Sequence, residues 1–233
     1  MRVTKQGGVL VTKVFGFLEE GRFLFLLVAL ILTIAVAPLL GDFIALKMLM
    51  KIFVTAVFIA AIYTVGETKR QGLVASLLAA PMVVSIWAEF FGKLPGLVIL
   101  GNAFGILFIG YTLVIIISFI VRQKEITPDT IYAGIVGYLL IGVMWALAFL
   151  LLEVLQPGSF RIPEAHLTEP RYLFYYHSFV TLTTLGYGDV TPLTAQASSL
   201  CVLEALIGQI YLTVLIAMLV GVYISQSLVA KSK

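Results

Sequence analysis

Charge is what this chain has least of. Asp, Glu, Lys and Arg together make up 12% of its 233 residues, against roughly 25% in an average soluble domain. A soluble fold of this size exposes too much surface for so few charges to cover. With 61% hydrophobic residues and a mean hydropathy of +1.10, the chain reads as an integral membrane protein. Cysteine is almost absent, and a lone Cys201 in an apolar stretch excludes an intrachain disulfide and a cysteine-rich metal centre. Histidine is limited to His166 and His177, which are not arranged as a metalloprotease motif. No nucleophile, base and acid converge in a recognised spacing, so neither an enzyme nor a bound cofactor is expected. The net charge of +3 lies in scattered basic residues without the stripe that nucleic acid needs. No internal repeat is visible, which leaves an inverted-repeat transporter with little support. No cleavage box follows the first apolar run, so that run reads as a retained span.

Long apolar runs are what the chain does have. Hydrocarbon leaves backbone groups unsatisfied, so such runs become helices unless strands close into a barrel. A barrel would show short alternating segments, and none appear here. Phe23 to Leu40 and Leu97 to Val121 contain no charge. The second of these reaches roughly 37 Å as a helix, enough to cross with some tilt. Phe43 to Val65 carries Lys47 and Lys51 in its first turns, where their stems can snorkel to lipid headgroups. Asp42 and Glu89 are alternative partners for these lysines. Leu73 to Trp87, Ile131 to Leu152 and Ala195 to Ser225 complete six expected spans.

Orientation follows from the basic residues. With the N-terminus inside, the cytoplasmic side receives Arg2, Lys5, Lys13, Arg22, Lys69, Arg70, Arg122, Lys124, Lys231 and Lys233. The other side receives only Lys47, Lys51, Lys93, Arg161 and Arg171. Both termini are therefore expected to be cytoplasmic, in a multi-pass protein of the cell membrane.

One segment breaks the pattern of a simple bundle. After a loop opening at Gln156-Pro157-Gly158-Ser159, Thr168 is placed to cap a helix with Glu169 and Pro170 in its first turn. Arg171 to Thr183 is then about 20 Å of helix, too short to span but suited to a re-entrant helix. Thr184-Leu185-Gly186-Tyr187-Gly188-Asp189 follows at once. Glycines at alternate positions let the backbone alternate between ordinary and positive φ without a Cβ penalty, so that successive carbonyls can face one side. Non-helical backbone at membrane depth is tolerated only where it lines a cavity or is buried in protein. Four copies around an axis would stack carbonyl rings in place of a cation's water shell, with the Thr184 hydroxyl adding an inner oxygen layer. A Gly-x-Gly turn before a helix is the plainer alternative, but the six-residue string is far more specific than that three-residue pattern.

The stretch Thr181-Leu182-Thr183-Thr184-Leu185-Gly186-Tyr187-Gly188-Asp189 resembles the signature of the tetrameric potassium channels, whose carbonyl filter is a known mechanism. The specific similarity covers roughly residues 172–226, and the fifth span fits the family's outer helix more loosely. The resemblance implies an all-α membrane protein with six transmembrane helices and a re-entrant pore helix and filter loop between spans five and six. It implies assembly with three further copies of the chain, and K+ as the permeant ion held by Thr184, Leu185, Gly186 and Tyr187, with Gly188 completing the filter. Asp189 matches the family's outer aspartate. The corresponding units are 1–22, a cytoplasmic segment; 23–122, a sensor-like domain; 123–130, a linker; 131–226, the pore domain; and 227–233, a short tail.

Around the filter, Thr183 ends the pore helix, whose C-terminal partial charge favours a cation. Val180 is apolar where some members carry a glutamate bonded to the outer aspartate, so Asp189 must be braced from elsewhere. Tyr175, Tyr176 and His177 fill the usual aromatic positions. His177 reads either as a neutral imidazole bonded locally or as a source of pH sensitivity. His166, with Glu164 and Glu169, reads as a solvated loop residue. Glu204 is costly within a span unless paired, protonated or facing water, and is expected to bond the pore helix or filter loop, with His177 or backbone amides as partners. Gly208 and Gly221 are candidate hinges, with close packing an equal alternative for Gly208. Gln209, Thr213, Ile216 and Val220 form a candidate cavity face, from which Tyr211 points away.

The fourth span holds no basic residue before Arg122. Each charge in the field supplies only about 2.3 kcal/mol per 100 mV, so steep voltage gating by this helix is not expected. Gly101-x-x-x-Gly105 marks a candidate close helix contact. The leading expectation is a voltage-insensitive potassium channel contacting membrane lipids. The alternatives are a weakly selective cation channel or, with less support, an ion-coupled secondary transporter.

Overall fold

In the computed structural model, residues 22–36, 44–66, 68–88, 95–123, 125–163 and 170–231 are described. Residues 1–21 of the expected N-terminal segment 1–22, and Asp42, Glu89, Glu164, His166, Thr168 and Glu169, lie outside them. Seven helices follow in chain order: α1 Arg22–Val36, α2 Ile44–Val65, α3 Lys69–Ala88, α4 Pro95–Arg122, α5 Pro128–Leu155, α6 Pro170–Leu182 and α7 Ala195–Lys231. Two short strands, β1 Phe160–Arg161 and β2 Thr191–Pro192, pair antiparallel.

The chain is an all-α, multi-span bundle. Four helices, α3, α4, α5 and α7, are long and apolar enough to cross a membrane. The described apolar stretches at 22–35 and 51–63 are shorter, so the expected six spans are represented here by four of that length.

Helix α5 is the hub, packing against α1, α4, α6 and α7, while α3 bridges α2 and α4. Small residues set these distances. On α4, a Cβ added at Gly101 would lie 2.4 Å from Ser85 Cβ, and one at Gly105 would lie 2.5 Å from Met82 Sδ. The expected close contact is therefore made with α3, where Ser85 also donates to the Leu97 carbonyl at 2.9 Å.

Helix α5 begins at Pro128, earlier than the expected pore-domain start at 131. Thr127 caps it reciprocally with Thr130, and Pro128 supplies the first-turn φ. Helix α7 continues to Lys231, through most of the expected tail. Lys51 differs from the lipid-facing expectation: its Nζ donates at 2.7 Å to the Ile86 carbonyl near the end of α3. That bond satisfies a carbonyl in a last turn that lacks intrahelical donors. Trp87 Nε1 donates to Thr55 Oγ1 beside it.

Candidate pore site

Helix α6 is 13 residues long and is carried on α5 and α7. Small groups let it approach closely. A Cβ at Gly142 of α5 would lie 2.7 Å from Phe179, and one at Gly208 of α7 would lie 2.7 Å from both the Leu182 carbonyl and its side chain. Gly208 therefore stands where close packing of α7 on the end of α6 requires it. Gly221 has open space around its Cβ direction. Tyr138 of α5 donates to the Leu182 carbonyl at 3.3 Å, and its ring stacks on Tyr211. Tyr211 in turn donates to the Gly134 carbonyl at 2.8 Å, which turns it towards α5.

Beyond Leu182 the backbone leaves helix and takes alternating hands. Thr184, Gly186 and Gly188 have φ of 60°, 58° and 76°, whereas Leu185 and Tyr187 between them are not in the positive region. The two glycines reach this geometry without strain. Thr184, the non-glycine residue in the set, holds a conformation that costs an L-residue about 1–2 kcal/mol. Sequence reading places positive φ at the glycines and misses it at Thr184.

The loop's amides account for its direction. Leu185 and Gly186 N–H both donate to the Val180 carbonyl, at 2.9 and 3.3 Å, and Thr184 N–H donates to Thr181. Among the described residues, no backbone donor reaches the carbonyls of 184–188. Val180 thus supports the loop through its backbone oxygen as well as its buried apolar side chain. The Thr183 hydroxyl donates back to the Phe179 carbonyl at 2.6 Å.

Asp189 is braced by a residue not singled out for that role from sequence. Tyr176 donates to Asp189 Oδ2 at 2.7 Å, and Val190 N–H donates to Oδ1 at 3.0 Å. The Tyr176 bond holds the Asp189 carboxyl below its usual range, while the tyrosine hydroxyl is pushed up to about 12. Tyr176 and Tyr187 rings stack 6.4 Å apart and within 6° of parallel. A tyrosine near a following aspartate was visible in the sequence, but the return of the chain that joins them was not.

The segment leaving the loop is fastened to the end of α5. Strands β1 and β2 pair there, Leu193 N–H donates to the Ser159 carbonyl, and the Glu153 carboxylate accepts from Gly158 and Phe160 N–H. Gly158, at φ 84°, permits the turn.

His177 is buried among Phe149 and Phe160, with its Nε2 3.5 Å from Cys201 Sγ. Burial pushes the imidazole down to about 4. The Cys201 thiol stands where a hydroxyl or backbone partner was expected. Glu204 is fully buried and meets α6 at Ser178, not at His177 or a backbone amide. Gln209, Thr213, Ile216 and Val220 are all exposed along α7, and Thr213 donates to the Gln209 carbonyl at 2.8 Å. Among the described residues, no cluster of three or more His, Cys, Asp or Glu side chains forms a metal site.

Residues 171–225 match a family model described as an ion channel. The match takes in α6, the loop after it and most of α7, so an ion-channel-like domain is present and a channel rather than a catalytic function is supported. No curated protein and no solved structure matches the chain.

Proposed function

We propose that this chain is one subunit of a homotetrameric potassium-selective channel that conducts passively, down the electrochemical gradient, without a charged fourth-helix voltage sensor. In this reading α1–α5 and α7 are six spans, α6 is the re-entrant pore helix, and both termini are cytoplasmic. Thr184, Leu185, Gly186 and Tyr187 supply the oxygens that hold K+. The observation that carries the reading is the alternation of hand at residues 184, 186 and 188, with the amides of 185 and 186 turned onto the Val180 carbonyl. Amides bound on one side leave the carbonyls facing the other. Four such segments around an axis offer uncharged oxygens in place of hydration water.

The parts around the loop take roles accordingly. Thr183 and the C-terminal end of α6 direct partial negative charge towards the ion path. Tyr176 and Asp189 hold the outer mouth, and Gln209, Thr213, Ile216 and Val220 line the inner cavity. No charged side chain is needed in the filter itself.

Planar-bilayer recording of the purified protein in mixed potassium and sodium solutions tests this. A reversal potential near that of potassium, with little voltage dependence, is expected. Gly186→Ala should abolish conduction without dispersing the assembly. A Cβ there meets nothing within 4 Å in its own chain, so the penalty is conformational, at φ 58°. Equal permeability to the two ions would sink the selectivity claim, and saturable coupled flux would point to a transporter.

A further inference from the structure

Behind the filter loop, three helices meet at a single hydroxyl. Ser178 of α6 is fully buried. Its Oγ lies 2.7 Å from the Gly142 carbonyl of α5 and within hydrogen-bond distance of Glu204 Oε1 of α7. Both contacts join oxygen to oxygen, and each requires a proton between the pair. A serine hydroxyl carries one proton and a peptide carbonyl carries none. One serine hydrogen cannot point squarely at both oxygens, and a proton on the carboxyl group gives each contact its own.

The other carboxyl oxygen agrees. Glu204 Oε2 is buried with no hydrogen-bond partner among the described residues. An unpaired oxygen of a neutral acid costs far less to bury than half of a bare carboxylate. Nor do the described surroundings offer a compensating cation. The titratable groups nearby are Tyr138 from α5, the neutral His177 from α6 and Cys201 one turn back on α7. Strand β2, which also packs on α7, contributes Thr191 and Pro192, neither of them ionisable.

We propose that Glu204 is a positioning residue held as a neutral carboxylic acid, whose proton completes a chain from Glu204 through Ser178 to the Gly142 carbonyl and so ties the pore helix to both flanking spans. The Glu204 O–H donates to Ser178 Oγ, and the Ser178 O–H donates to the carbonyl. If the proton leaves, Ser178 turns its own hydrogen to the carboxylate and the Gly142 carbonyl loses that donor. The link between α5 and α6 then opens beside Phe179, which is seated against Gly142. Val180, whose carbonyl holds the filter amides, is two residues further on. The consequence for permeation rests on the channel reading above; the protonation state does not.

The test combines infrared difference spectroscopy and potassium flux from liposomes, both on the full-length protein across a pH titration. Wild type should show a protonated-carboxyl stretch that disappears in Glu204→Gln. Its flux should fall as pH rises. Glu204→Gln, whose amide can donate to Ser178 in place of the acid, should retain flux and lose that alkaline decline. Ser178→Ala removes the acceptor and should shift the same band to higher frequency, which keeps the assignment testable if the glutamine variant does not fold. A wild-type spectrum without a band sensitive to Glu204→Gln or Ser178→Ala overturns the proposal. So does an unchanged alkaline decline in folded Glu204→Gln. A Glu204 band in a protein that passes no potassium would support the proton and sink the channel reading instead.

Discussion

Helices α5 and α7 are both long and apolar, yet their surfaces have opposite fates. Of the most apolar stretch of each, 56% is buried in α5 and 6% in α7. Helix α5 meets neighbours on several sides, with Gly134 and Gly137 admitting Leu215 and Tyr211 of α7, and Gly142 admitting Phe179 of α6. Helix α7 is held chiefly by α5, α6 and β2, and leaves Leu206, Ile210, Val214 and Val220 exposed. Hydropathy is shared by a helix completed by its own chain and one whose surface is left for lipid or another copy. Packing separates them, because the second leaves far more of its apolar surface uncovered by its own neighbours.

The sharpest way to break this comparison is to enlarge one exposed side chain on each unit. If α7 lies at the interface of the proposed tetramer, Ile210→Trp should abolish that assembly, read by native mass spectrometry. Leu107→Trp, on an exposed face of α4, should leave it intact. Equal outcomes would remove the distinction between the two surfaces.

A smaller effect is expected where α7 meets α6. Gly208→Ala should destabilise the protein by about 1–3 kcal/mol through overpacking against Leu182, seen as earlier thermal unfolding. Gly221→Ala, with open space, should be close to neutral. A stable Gly208→Ala protein with altered gating would instead favour the bending role.

Next comes Asp189, at the outer mouth of the proposed channel. Because the Asp189 carboxyl is held below its usual range, what its charge contributes is present above the ordinary carboxylate range and is lost only as pH falls through the lowered value. Tyr176→Phe removes the bond that holds it down. Acid loss of current should therefore begin at a higher external pH in the variant, measured by single-channel titration. Identical acid limbs would show that this bond does not govern the mouth.

The smallest effect is at His177. With the imidazole pushed down to about 4 by burial, it stays neutral between pH 5 and 8. His177→Gln should leave the pH profile of current unchanged over that range, whatever it does to stability.

How far each feature could be read from sequence depended on how local its cause was. The helix bounds follow from runs of neighbouring residues, and α6 at Pro170–Leu182 nearly matches the expected 171–183. Gly101 and Gly105 signalled a close contact without identifying α3 as the partner. Glu204 was expected to bond the pore helix, but its partner proved to be Ser178, the neighbour of the more conspicuous His177. Tyr176 with Asp189, and Ser178 with Gly142, are pairs joined by the path of the chain rather than by any spacing rule. The left-handed turn at Thr184 had no signal, because threonine rarely adopts it unaided.

Local chemistry therefore pointed in advance to a multi-span apolar bundle, to where its long helices lie, and to a glycine-alternating loop after a short helix. Those outcomes need only the cost of burying open backbone and the conformational freedom of glycine. Which amides hold the loop, which hydroxyl braces Asp189 and where the buried carboxyl finds its partner were decided by tertiary structure. Hydrogen bonds act over about 3 Å, and only the packed helices bring residues so far apart in the chain to that distance.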